Sequence, residues 1–113
     1  MYEFVRKFRK NGSRKCEGYL KEYLKHGAWT YWSKKNGHLK VKEIHWKEGR
    51  LHGKLTEWYK NGQKRSVTEF HKGKAHGKRA EWYKHGQKHV EGEYKDGSPH
   101  GVWTYWDEEG EII

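Results

Sequence analysis

The sequence predicts an all-β protein: an elongated single-layer antiparallel sheet of β-hairpin repeats, about 4.5 repeats of 24–26 residues giving about nine strands. Three observations carry this. His-Gly pairs recur at His26-Gly27, His52-Gly53, His76-Gly77 and His100-Gly101, spaced 26, 24 and 24 residues apart. Large apolar anchors recur at Phe8, Leu20, Trp32, Trp46, Trp58, Phe70, Trp82, Tyr94 and Trp106, about one every twelve residues. Composition is the third: Leu, Ile, Val and Phe supply only 16 of 113 residues, too few for an aliphatic core, whereas seven Trp and eight Tyr stand beside 14 Gly and one Pro. Each large ring buries about 150–250 Å², so aromatics replace aliphatics in a turn-rich β chain, and a helical bundle is excluded.

The elements follow in order from two kinds of punctuation. Asn11-Gly12, Asn36-Gly37, Asn61-Gly62, His85-Gly86 and Glu109-Gly110 form one set; Glu48-Gly49, Lys72-Gly73 and Asp96-Gly97 form the other. Strands one and two flank Asn11-Gly12, three and four flank Asn36-Gly37, five and six flank Asn61-Gly62, and seven and eight flank His85-Gly86. Strand nine leads to Trp106. Each segment is short, rich in Trp, Tyr, Val and Thr, and bounded by hairpin dipeptides. A two-residue turn at Asn61-Gly62 sets Phe70 opposite Gly53. The same construction sets Trp46 opposite Gly27 and Tyr94 opposite Gly77, so three hairpins share one register. A ring facing a glycine covers its bare backbone, which makes these glycines structural. Trp32, Trp58, Trp82 and Trp106 then fall on the other face, with Thr30, Thr56, Ala80 and Thr104 two residues earlier.

The units from His52 to Lys64 and from His76 to Lys88, which share His-Gly-Lys, Glu-Trp-Tyr-Lys and Gly-Gln-Lys, resemble MORN-repeat proteins, specifically the bacterial variant form. Glu91-Gly92-Glu93-Tyr94 and Glu17-Gly18-Tyr19 are similar to that family's Gly-aromatic core, whereas Ile44 and Thr68 replace the glycine in other repeats. The resemblance covers nearly the whole chain as one domain, 1–113. It implies a scaffold for proteins or lipids, with an antitoxin role in bacterial variants, and it supplies no catalytic motif.

Side-chain chemistry points the same way. Equivalent histidines such as His52 and His76 lie two strands apart, about 9–10 Å, too far to share a zinc ion whose ligands sit about 2 Å away. No metal and no cofactor are expected. Cys16 takes the place Val90 holds in a later repeat and reads as a small apolar strand residue; as the one cysteine, it excludes an internal disulfide and suits a reducing compartment. No nucleophile constellation or phosphate loop is recognisable, so no enzyme activity is expected. The N-terminus lacks the apolar segment of a secretion signal, and no stretch approaches about 18 apolar residues. The expected location is cytoplasmic.

Charge is the most informative feature. Residues 1–56 contain 15 Lys and Arg against 5 acidic residues, while 57–113 contain 10 of each, so the whole +10 excess is N-terminal. Basic groups interleaved with flat rings suit an acidic protein surface or nucleic acid. Trp29 and Tyr31 vary between repeats, with Leu55 and Glu57, Arg79 and Glu81, Trp103 and Tyr105 in the matching places, and so look free of scaffold duties. The expected partner-binding residues are Trp29, Tyr31, Lys34, Lys35, Lys40, Lys42, Arg6, Lys7, Arg9, Lys10, Arg14 and Lys15. The expected function is non-enzymatic neutralisation or scaffolding of an acidic protein partner, a toxin or an effector or nuclease complex, by an antitoxin, immunity-type or phage-encoded inhibitor. Nucleic-acid binding and anionic-membrane binding are the alternatives. Lysine-rich strands also protect sheet edges from aggregation, a duty Asp107, Glu108, Glu109 and Glu111 would share at the other end.

Overall fold

The computed structural model describes residues 1–34 and 37–113, and among these lie nine strands. They are β1 (Tyr2–Phe8), β2 (Arg14–Lys21), β3 (Leu24–Trp32), β4 (Lys40–Lys47), β5 (Arg50–Trp58), β6 (Lys64–His71), β7 (Lys74–Trp82), β8 (Lys88–Lys95) and β9 (Ser98–Tyr105). All pair in sequence order in one open antiparallel sheet. Its extents are 46 × 33 × 15 Å, the smallest being one sheet and its side chains. The radius of gyration of 16.0 Å exceeds the about 13 Å expected of a compact chain this long.

The predicted register holds: Gly27 pairs with Trp46, Gly53 with Phe70, and Gly77 with Tyr94. Two details differ. The upper turns are longer than two residues: Tyr59 donates its N–H to the Gln63 carbonyl at 2.8 Å and Gly62 donates to Tyr59 at 3.0 Å, so Trp58 faces Lys64 across a one-residue register shift. The lower turns are the two-residue kind, with left-handed φ at both positions: 51° and 79° at Glu48-Gly49, and 49° and 86° at Lys72-Gly73. That geometry matches the twist of the strands it joins. A fourth lower turn, Glu22-Tyr23, puts a tyrosine at φ 72° where the other three have glycine.

The second detail concerns the His-Gly glycines. Between Ile44↔Leu55 and Trp46↔Leu51, the three residues His52, Gly53 and Lys54 stand against His45 alone, and Gly53 adopts φ 97°. A Cβ on Gly53 would point at His45, and one on Gly77 (φ 108°) would lie 2.6 Å from a Glu69 carboxylate oxygen. Neither points at the aromatic ring across the strand. These glycines are structural because each wide bulge needs a left-handed residue, not because a ring must cover them.

The register shift at each wide bulge is two residues, so strand alternation survives and the two faces stay distinct. The buried side chains Cys16, Trp29, Ile44, Ser66, Thr68 and Val90 all lie on one side, the Trp29 face. Trp32, Trp58 and Trp82 alternate onto the other, the Trp58 face, as expected. The core is thus one surface of a sheet, arranged in rows across the strands. The central row runs Val5, Gly18, Trp29, Ile44, Leu55, Thr68, Arg79, Gly92 and Trp103.

Neighbouring repeats are also stapled at their turns. Tyr59 Oη donates to the Trp82 carbonyl at 2.7 Å and Tyr83 Oη to the Trp106 carbonyl at 2.8 Å, 23 residues on in each case. Below, the N–H groups of Gly49, Gly73 and Gly97 donate to the carbonyls of Lys25, Leu51 and Ala75 at 2.8–3.2 Å. Each repeat therefore holds the next at both ends, as expected of a chain whose units contact only their neighbours.

Candidate partner-binding surface

The predicted site residues separate into three groups. Trp29 is core: it is 2% exposed, its indole N–H donates to the Tyr19 carbonyl at 2.9 Å, and its ring lies where a Cβ on Gly18 would be. A partner cannot reach it, which corrects its expected role as an anchor. Its variation between repeats tracks the residue across the strand. Trp29 and Trp103 cover Gly18 and Gly92, Leu55 faces Ile44, and Arg79 faces Thr68. The matching position is therefore under scaffold control in every repeat.

The second group is charged but already engaged. Arg9 donates through its guanidinium to the carbonyls of Arg14, Ser33 and Trp32 at 2.6–2.9 Å, and so occupies the staple position that tyrosine holds at Tyr59 and Tyr83. Arg14 lies 3.8 Å over the Trp32 ring, donates to the Gly37 carbonyl at 3.2 Å and faces Glu17 at 3.8 Å. Lys40 faces Glu43 at 3.7 Å. Arg6 is intermediate: it pairs with Glu17 at 3.4 Å and lies 5.3 Å from the Phe4 ring centre, yet remains exposed.

The third group is available. Lys7, Lys10, Lys15 and Lys34 are exposed and make no ion pair among the described residues; Lys35 lies outside the described residues. Lys7 faces Cys16 across the first hairpin, Lys15 adjoins that cysteine, and Lys10 follows in the turn. The register continues Lys7, Cys16, Tyr31, Lys42 and Glu57 in one row of the Trp29 face, so Lys7, Tyr31 and Lys42 are brought together. Tyr31 Oη accepts a bond from Lys25 Nζ at 3.3 Å, and the same ammonium lies 5.0 and 5.1 Å from the Trp29 and Trp46 ring centres. Arg6, Arg14 and Lys40 belong with the opposite face, so no flat partner touches the whole predicted set.

Sequence reasoning sets Phe4 and Phe8 among the basic groups of this end but misses Tyr2, Tyr19 and Tyr23. Tyr2, Phe4 and Phe8 on β1 are 57, 46 and 58% exposed, Tyr19 on β2 joins Phe4 edge-on with centres 5.2 Å apart, and Tyr23 is 93% exposed. The signal was available at Tyr23, whose turn position is glycine in the other three lower turns. A large side chain in left-handed backbone costs about 1–2 kcal/mol, so its presence marks a position not optimised for folding alone.

In residues 57–113, Arg79 and Lys88 are the Lys and Arg side chains with ion pairs among the described residues. Arg79 faces Glu81 at 2.9 Å, and Lys88 holds the Glu91 carboxyl below its ordinary range by direct hydrogen bonding and charge. The histidine rings of His52, His71 and His76 form a ladder along the Trp58 face, with centres 4.9 and 6.1 Å apart. Among the described residues, no group of three or more His, Cys, Asp or Glu is arranged to hold a metal ion, and no helix is long and apolar enough to cross a membrane. The sheet presents open grooves; one, about 470 Å³, is on the Trp58 face between Val67, Ala80, Trp82 and Thr104, away from the basic end. No family model matches this chain, and no curated protein matches it.

Proposed function

We propose that this is a non-enzymatic binding protein that neutralises or scaffolds an acidic protein partner through its N-terminal end. In biological terms it is an antitoxin, an immunity-type protein or a phage-encoded inhibitor of the MORN-variant kind, acting in the cytoplasm on a toxin or an effector or nuclease complex. The observation that carries this reading is an asymmetry of charge, the whole +10 excess lying in residues 1–56. Lys7, Lys10 and Lys15 have no carboxylate partner among the described residues, and exposed Phe4, Phe8 and Tyr19 line the same end of the sheet on the side opposite Lys7. Unmatched cations supply steering, and exposed rings at the same edge of the sheet supply a hot spot.

The test is capture from the native host with and without nuclease, comparing the wild type with a Lys7→Glu, Lys10→Glu and Lys15→Glu variant. The expected result is an acidic protein retained after nuclease treatment and lost with the variant, at an unchanged melting temperature. Retention that disappears with nuclease, together with binding to single-stranded DNA or RNA that falls steeply with salt, replaces this reading with nucleic-acid binding. Capture by the variant as strong as by the wild type refutes it.

A further inference from the structure

The two edges of the sheet are finished differently. On β9 the outer edge carries Pro99, a left-handed Gly101 and a return of the chain, in which Ile113 donates its N–H to the Tyr105 carbonyl at 2.9 Å and Ile112 bridges Trp106. Proline, bulges and a covering segment are the usual means of blunting an edge. β1 has none of these and carries only charge, at Glu3, Arg6 and Lys7: Tyr2–Phe8 is seven residues without Pro or Gly, its only irregularity the shift at Phe8.

The orientation of its backbone follows from the repeat. Arg9 donates inward to Ser13, while Trp106, the counterpart of Phe8, donates backward to His89 across the preceding strand. By alternation, the N–H and C=O groups of Tyr2, Phe4, Arg6 and Phe8 point away from β2, to a side where no strand pairs with them among the described residues.

We propose that the protein self-associates as a two-fold dimer, β1 pairing antiparallel with β1 of a second copy about Val5. The strand is self-complementary in this one register. Glu3 meets Lys7 of the other copy twice over, Phe4 meets Arg6, Tyr2 meets Phe8, and Val5 meets itself. The register also satisfies the backbone, because the residues that meet at Phe4 with Arg6 and at Tyr2 with Phe8 are those whose hydrogen-bonding groups point outward. Opposite charges, aromatic pairs and cation–ring pairs directly across strands are each favourable. The paired sheets continue each other with both Trp29 faces on one side, so the two sets of Lys7, Lys10 and Lys15 flank the axis. With +10 on each chain, long-range repulsion opposes association, and added salt strengthens it by screening. Contact with an acidic partner has the opposite salt dependence, which separates this proposal from the function above.

Analytical ultracentrifugation from micromolar to millimolar protein, at low and high salt, tests it. The wild type is expected to reach twice the 13.7 kDa chain mass, more readily in high salt. Lys7→Glu and Glu3→Lys each place like charges across the axis twice, and each is expected to weaken association about tenfold or more. An equimolar mixture of the two variants restores opposite charges and is expected to form a heterodimer. Arg6→Pro removes an outward donor while leaving the β1–β2 ladder intact, and is expected to be monomeric with wild-type circular dichroism. A wild type that stays monomeric throughout, single variants that dimerise as the wild type does, or a mixture that stays monomeric overturns the proposal.

Discussion

The central row of the Trp29 face solves one packing problem in two ways. In the outer repeats, Trp29 and Trp103 lie over Gly18 and Gly92, and a side chain on either glycine would collide with the indole. In the middle, where the bulge falls one residue later, Ile44 pairs with Leu55 and then Thr68 with Arg79, whose guanidinium also pairs with Glu81 at 2.9 Å. Large with nothing, medium with medium, and polar with polar fill the same space. The difference teaches that variation between repeats is not freedom: each residue is chosen by the one across the strand.

The largest way to break this comparison is to empty the indole positions. Trp29→Ala is expected to destabilise the sheet by about 3–5 kcal/mol, since the ring is buried and nothing grows from Gly18 to replace it. Arg79→Ala is expected to cost less, about 1–3 kcal/mol, because removing the half-buried Arg79 side chain opens the buried Thr68 hydroxyl to water. Equilibrium unfolding in urea measures both, and equal losses would mean that the two clasps are not different in kind.

A second contrast is between glycines. Gly77→Ala is expected to cost about 1–2 kcal/mol from its left-handed φ alone, and more if Glu69 cannot swing aside. Gly18→Ala has no such backbone cost but meets the Trp29 ring. Restoring stability by trimming the neighbour is therefore possible at Gly18 and not at Gly77. Thermal melts of Gly77→Ala with Glu69→Ala, and of Gly18→Ala with Trp29→Leu, check this: recovery is expected only in the second pair.

The smallest effect concerns pH. Partial desolvation, then the charges of His52, Lys72, His76 and Lys47, hold the His71 imidazole below the ordinary histidine value. The folded chain therefore takes up this proton less readily than the unfolded one. Stability from this group is full above the ordinary histidine pKa, falls as the pH drops through it, and levels off below the lower folded value. His71→Gln is expected to flatten that slope in melting curves recorded across this range; an unchanged slope would remove His71 as its source.

Much of the sheet was legible because hairpin dipeptides and anchors recur with the strand period. The pairings of Gly27, Gly53 and Gly77 with Trp46, Phe70 and Tyr94 follow from counting alone. What counting could not reveal was conformation. The left-handed φ of Gly53 and the three-against-one bulge beside His45 shift the β4–β5 register but leave the β5–β6 pairing of Gly53 with Phe70 unchanged, so they leave no trace in that count. The candidate site was legible as charge and not as contact. The excess of Lys and Arg marks the N-terminal half, but which of them are spent inside the fold depends on turn-to-turn distances, as with Arg9 reaching the Trp32 and Ser33 carbonyls. Trp29 was misread because its repeat-to-repeat variation was compared along the chain, when its controlling neighbour, Gly18, lies across it.

The double-mutant cycle of Gly18→Ile with Trp29→Leu, which transplants the Ile44–Leu55 pair into the first clasp, tests control across the strands most directly. Unfolding free energies of the wild type, both single variants and the double variant are needed. Control across the strands predicts that the double variant loses less than the two singles combined, by at least about 1 kcal/mol. Losses that simply add would mean that Gly18 and Trp29 are chosen independently, and that the central row is not built from pairs.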